Sequence, residues 1–308
     1  MRKPKGLPIN GWLILDKPQG LTSTQAVSRV KRAFEAQKAG HAGTLDPLAT
    51  GILPIALGEA TKTVPYVVDG EKSYRFTVTW GTETDTDDSE GKPVATSAAR
   101  PDLAAITALL PAFTGDIQQM PPQYSAIKVD GARAYDLARD GEQFELAARQ
   151  VTVHELTVLE QAPDGAFTNF DCACGKGTYV RSLARDMGRR LGCHGHITQL
   201  RRTSVGPFAE ADAISLEKLE ELGNKEAGRE GLKTVLRPVE TALDDIPALP
   251  VSTSDAARLM RGQAVLVRGA GAPILTGPVY ATSRGTLVAV GEIRQGELHP
   301  VRVFNLNG

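Results

Sequence analysis

Apolar positions along this chain change their period several times, and each change predicts an element. Trp12, Leu13, Ile14 and Leu15 are contiguous, the pattern of a short buried strand over Gly11 to Leu15. Asp16-Lys17-Pro18-Gln19-Gly20 ends it in turn residues. Behind Thr22 or Ser23, either of which suits an N-cap, Ala26, Val27, Val30 and Phe34 recur at helical spacing. Ile52 to Leu57 is again a continuous apolar run, of strand length, closed by Gly58. A helix is expected from Ala60 to Val68. Tyr74 to Trp80 alternates and is rich in aromatic and β-branched residues, as a strand requires.

Further on, Leu103, Ile106, Leu109 and Leu110 mark a helix stopped by Pro111, and the two prolines in Gln118 to Ala126 exclude a regular helix there. A short helix from Ala132 to Arg139 leads to a strand alternating Val151, Val153 and Leu156. Phe170, Cys172 and Cys174 share one strand face. Gly175-Lys176-Gly177-Thr178 breaks that strand, with Thr178 placed to cap a helix whose apolar stripe is Val180, Leu183, Ala184, Met187 and Leu191. Arg201 and Arg202 fall on the strand after it. Ser215 to Leu222 predicts another helix, followed by a polar stretch from Asn224 to Arg229. Asp244 to Pro250 reads as a domain boundary. Beyond it one helix, Asp255 to Arg261, accompanies strands at Ala264 to Val267, Pro278 to Ala281, Leu287 to Val290 and Val301 to Phe304.

Composition adds limits. A chain of 308 residues, 41% hydrophobic and 23% charged, has ample material for two domains of ordinary globular type. Its formal net charge of -1 gives no global sign of a polyanionic partner, so any nucleic-acid site must be a local patch. Such a patch is visible: between Asp171 and Gly206 seven Lys or Arg stand against two acids. Arg181, Arg185 and Arg189, each four apart, line one helix face, a footprint suited to phosphates or simply a solvated face. From Ile246 onward six arginines stand against three acids. No apolar run approaches the ~20 residues of a membrane span. The basic start, Met1 to Gly6, is followed by too short an apolar run for a signal-peptide core. Three cysteines fit a reducing compartment, and a cytoplasmic protein is expected.

Several chemical motifs fail on spacing. Glu83, Asp85, Asp87, Asp88 and Glu90 crowd one loop without the glycine and terminal glutamate of a calcium loop, so a solvated acidic turn is expected. Cys172, Cys174, Cys193, His194 and His196 lack zinc-finger spacing. Gly175-Lys176 lacks the serine or threonine of a phosphate-binding loop, and no nucleophile elbow is present. The stretch that stands out is His41-Ala42-Gly43-Thr44-Leu45-Asp46-Pro47-Leu48-Ala49-Thr50-Gly51. Pro47 forces Asp46 off helical dihedrals, onto a loop held against a buried strand. That is a suitable mount for a catalytic carboxylate and equally for an Asx-turn that caps its own backbone.

This string, with Leu53 to Lys62 behind it, resembles the signature of the TruB family of tRNA pseudouridine synthases. The likeness extends from about Gly11 to Phe208 and more loosely to the C-terminus. It implies an α/β (α+β) catalytic domain over residues 1–245, with a central mixed or antiparallel sheet flanked by helices, and a small β-rich, PUA-like RNA-binding unit over 246–308. The implied reaction is isomerisation of a uridine in the T loop of transfer RNA, flipped out of its stack, with no metal or organic cofactor. By the same resemblance Asp46 is the catalytic nucleophile, Arg181 pairs with it and orients it, and Tyr74 stacks on the base and is a candidate general base. Tyr179 and Leu200 line the pocket, Lys17, near the site, is implied to bind substrate with them, and His41 fills the gap left by flipped nucleotides. The implied partner is the T-arm stem-loop, bound by a monomer without membrane, guide RNA or obligate protein partner. A related guide-RNA-dependent catalytic subunit and a non-catalytic RNA-binding protein are the rival readings. The polar stretch near Asn224 has no counterpart in these motifs.

Overall fold

The computed structural model describes residues 6–125, 127–129, 132–142, 144–224, 228–267 and 276–306. In chain order its strands begin β1 (Gly11–Lys17), β2 (Ala39–His41), β3 (Thr50–Leu57), β4 (Lys72–Trp80), β5 (Thr82–Thr84), β6 (Pro93–Thr96) and β7 (Gly115–Gln119). They continue with β8 (Lys128–Val129), β9 (Ala132–Arg133), β10 (Arg149–Gln161), β11 (Phe167–Cys174), β12 (Gly195–Val205), β13 (Phe208–Ala209) and β14 (Ile214–Ser215). The helices over the same span are α1 (Ser23–Ala33), α2 (Val64–Asp69), α3 (Leu103–Leu109), α4 (Ala134–Arg139), α5 (Val180–Arg190), α6 (Leu216–Asn224) and α7 (Gly228–Lys233).

The main sheet runs β14-β1-β3-β12-β4-β11-β10-β7, with β2 on β3 and β13 on β12. Two of its pairings are parallel, β1 with β14 and β3 with β12; the others are antiparallel. The contiguous apolar runs of β1 and β3 follow from burial on both faces. Leu13, Leu15, Leu53 and Ile55 pack with Ala26 and Val30 of α1 and with the stripe of α5. Trp12, Ile14, Ile52 and Ala56 point the other way, into a second cluster with Val67 and Phe208.

That second cluster also contains Leu287, Val290 and Phe304 from the C-terminal unit. The unit consists of β15 (Ala248–Pro250), α8 (Thr253–Met260), β16 (Val265–Leu266), β17 (Gly277–Ser283), β18 (Thr286–Arg294) and β19 (Glu297–Val303). Its sheet has the order β15-β17-β18-β19-β16 around a third apolar cluster. Lys62 Nζ donates to the Val303 carbonyl at 2.8 Å and the Asn305 amide to Glu59 at 2.8 Å, so polar bonds rim the apolar junction. Among the described residues no helix is long and apolar enough to cross a membrane. Met1 to Lys5, Arg268 and residues 225–227 of the polar stretch lie outside the described residues.

Three expectations are corrected. The helix expected from Ala60 to Val68 is a 3₁₀ turn, Gly58–Lys62, followed by α2, because Pro65 near the start of α2 removes a backbone donor. Thr178 does not cap α5; Tyr179 occupies the cap position, and the side chain of Gln119 on β7 both accepts from its amide at 2.8 Å and donates to its carbonyl at 3.1 Å. The acidic loop is not a solvated turn. Glu83, Asp87 and Asp88 are each less than one-tenth exposed and face the arginines of α5.

Candidate active site

Asp46 stands on the loop between β2 and β3, at the rim of a cleft of about 1060 Å³. The two neighbours of Asp46 on that loop are tied to different elements. Thr22 caps α1 in a capping box with Gln25, and the next residue, Ser23, turns inward. Its hydroxyl donates to the Leu45 carbonyl at 3.0 Å and accepts from the Leu45 amide at 2.8 Å. Lys17, at the end of β1, donates to the carbonyls of Pro18 and Leu21 at 2.9 and 2.8 Å, and to that of Pro47 at 3.4 Å. Burial lowers the Lys17 ammonium to about 8, against the opposing pull of Asp46. The side chain has no solvent exposure and does not line the cleft. It is placed behind the Asp46 loop, so a direct substrate contact is not what this geometry provides.

Facing Asp46 is the first turn of α5. Arg181 Nε lies 2.9 Å from Asp46 Oδ2, and its Nη1 lies 3.5 Å from Asp88 Oδ2. The rest of the fork donates to backbone carbonyls, Nη1 to Thr86 at 2.9 Å and Nη2 to Tyr124 at 3.0 Å. The Arg181 side chain is 6% exposed while that of Asp46 is 35% exposed. The guanidinium is thus internal and held by several acceptors, and the carboxylate it pairs with is presented to the cleft.

One turn on, Arg185 pairs with Asp87 at 2.8 Å and with Asp186 at 2.8 Å, and donates to the Met120 carbonyl at 2.7 Å. Burial raises the Asp87 carboxyl to about 6 in spite of Arg185 and Arg181. Arg189 meets Glu83, and Arg201 meets Asp16 at 2.9 Å and Glu210. Three arginines of the basic window, Arg181, Arg185 and Arg202, are buried, Arg189 and Arg201 are ion-paired nearer the surface, and the acidic loop is the partner of three of the five.

The remaining wall brings together Tyr74, Leu200, Tyr179 and His41 around the same cleft. Tyr74 and Arg202 are cross-strand neighbours on β4 and β12. Burial pushes the Tyr74 phenol up, with Arg202 pulling the other way; burial pushes Tyr179 up as well. Sequence reasoning missed the roles of Ser23, Asp88 and Arg202. Only Asp88 left a signal, as part of a dense acidic run, and nothing in the linear order joins that run to the basic helix far downstream.

Against this geometry the comparisons are decisive. Residues 31–180 match the family model described as TruB family pseudouridylate synthase (N terminal domain), and residues 181–244 the tRNA pseudouridylate synthase B C-terminal domain. The protein named tRNA pseudouridine synthase B of Rhodopseudomonas palustris is 64% identical over 301 residues, covering 97% of this chain and 82% of that one. The protein of the same name from Rhizobium meliloti is 58% identical over 309 residues, covering 98% of each. This chain belongs to the TruB family. It is an isomerase of the pseudouridine synthase class with the mixed α/β fold of that group. A solved chain from a Cbf5-Nop10-Gar1 complex is similar over 96% of this chain and 84% of its own, at 28% identity and a TM-score of 0.73.

Proposed function

We propose that this TruB-family enzyme converts the T-loop uridine of transfer RNA to pseudouridine, with Asp46 as its catalytic nucleophile. The observation that carries this reading is the pairing of Asp46, a part-exposed carboxylate, with Arg181, whose fork is buried and committed to fixed carbonyls. In the reaction the N1–C1′ bond of the nucleoside breaks and a C5–C1′ bond forms; the C5 proton leaves and N1 gains one. Asp46 meets the nucleoside as the glycosidic bond opens. A guanidinium fixed in advance keeps the carboxylate in place without reorganisation during the reaction.

Tyr74 offers its ring face to the extracted uracil, and its burial favours a neutral phenol, suited to stacking and hydrogen bonding. Leu200 and Tyr179 wall the base pocket, and His41 fills the space the flipped nucleotides leave. The C-terminal β unit, over 246–308, acts as a PUA-like RNA-binding domain beside a catalytic domain over 1–245. The enzyme works as a cytoplasmic monomer, without guide RNA or obligate protein partner. The relatives named tRNA pseudouridine synthase B support the choice of transfer RNA.

The deciding experiment is tritium release from 5-tritiated uridine in a T-arm stem-loop, with the lone chain and no guide RNA. Wild type is expected to release tritium and Asp46→Asn to release none above background while still binding the stem-loop. Turnover by Asp46→Asn would remove Asp46 as nucleophile, and a wild type that binds but never releases would leave an RNA-binding protein.

A further inference from the structure

Arg202 carries a guanidinium that is 1% exposed, in the middle of a sheet, on the strand that crosses behind the Asp46 loop. A charge in that position requires a full set of acceptors. Its Nε donates to the Ile52 carbonyl at 2.8 Å, Nη2 to Gly43 at 3.1 Å and Nη1 to Thr44 at 3.3 Å. These acceptors lie on both sides of Asp46 in the chain, two before it and one after. The socket is built to fit. A Cβ on Gly51 would stand 2.2 Å from the Arg202 carbonyl oxygen, and one on Gly43 would stand 3.4 Å from Nη1. Gly51 is also the parallel-ladder partner of Arg202, and Tyr74 is its partner on the opposite side.

We infer that Arg202 is a positioning residue: its buried fork fastens the first half of the Asp46 loop, and the strand β3 that follows it, to β12, beside Tyr74, so that carboxylate and phenol address one nucleoside. This rests on the proposed roles of Asp46 and Tyr74. The planar fork is essential, because a lysine in the same place supplies the charge but radiates its donors from a single nitrogen, whereas Arg202 reaches its three carbonyls from three. Displacing the loop by about 1 Å is enough to cost on the order of 100-fold in rate. RNA binding, spread over the rest of the cleft, is unaffected.

The test uses the full chain and the 5-tritiated T-arm stem-loop under single-turnover conditions. Arg202→Met is expected to lower the rate by on the order of 100-fold and Arg202→Lys by about 10-fold, with Kd for the stem-loop within about threefold of wild type. A wild-type rate in either variant, or a rate loss matched by lost binding, overturns the inference. If Arg202→Met does not fold, Arg202→Lys carries the test, since it keeps the buried charge. Hydrogen exchange at amides 43–52 supplies a readout independent of catalysis. Those amides must exchange faster in Arg202→Lys, and unchanged protection there overturns the clasp. Activity retained by Asp46→Asn would instead refute the proposed function, and the exchange data would still judge Arg202.

Discussion

An ammonium group without solvent contact has to find its hydrogen bonds inside the protein, and Lys17 finds three, at Pro18, Leu21 and Pro47. Its folded pKa, about 8, is below the ordinary 10.5. Between those values the unfolded chain binds more protons than the folded one, so the Lys17 contribution to stability rises with pH from about 8 to 10.5. Lys17→Met abolishes that contribution. In urea melts across this window the stability of wild type relative to Lys17→Met is expected to climb with pH; a constant difference would refute the assignment. At this scale the sequence was informative about residue identity and uninformative about direction. Lys17, Tyr74, Arg181 and Asp46 were all legible from motif resemblance, yet nothing in the linear order says that Lys17 turns away from the cleft.

Two glycines illustrate what strand packing demands of single positions. Gly51 has φ +97 and would place a Cβ 2.2 Å from the Arg202 carbonyl oxygen; Gly177 has φ +83 and open space around it. Gly51→Ala therefore has to part β3 from β12 and is expected to destabilise by at least ~3 kcal/mol. Gly177→Ala meets only the left-handed backbone penalty, about 1–2 kcal/mol. Denaturant melts of the two variants check this, and equal losses would contradict the close approach of the strands. Periodicity identified the strands on both sides and the stripe of α5. It could not reveal that β3 and β12, about 150 residues apart, run parallel and touch. Nor could local pattern explain the start of α5, because its backbone partner, Gln119, arrives from β7.

On the scale of the whole molecule, the C-terminal sheet contributes Leu287, Val290 and Phe304 to the apolar cluster beneath Trp12 and Phe208. Two units that share a core should melt together, in one transition. Truncating the 2%-exposed Phe304 to alanine is expected to cost ~3–5 kcal/mol and to separate the melt of the C-terminal unit from that of the main sheet. Calorimetry distinguishes this from a uniform shift of a single transition, which would mean that the junction contributes little to coupling.

What the sequence alone determined was local or carried by an unbroken string: the apolar runs of β1 and β3, the amphipathic stripe of α5, the β-rich tail, and the His41 to Gly51 signature with its family. The tertiary structure alone decided the pairing of charges. Read separately, the seven cations between Asp171 and Gly206 suited phosphates or a solvated face alike, and the acidic run from Glu83 to Glu90 looked like a solvated turn. Folding sets three of those cations against three of those acids, with Arg181 holding Asp46 as well and Arg202 holding its loop. The physical reason is that hydrophobic period reports which face of an element is buried, whereas a charge's partner depends on which distant strand or loop the topology brings within about 3 Å.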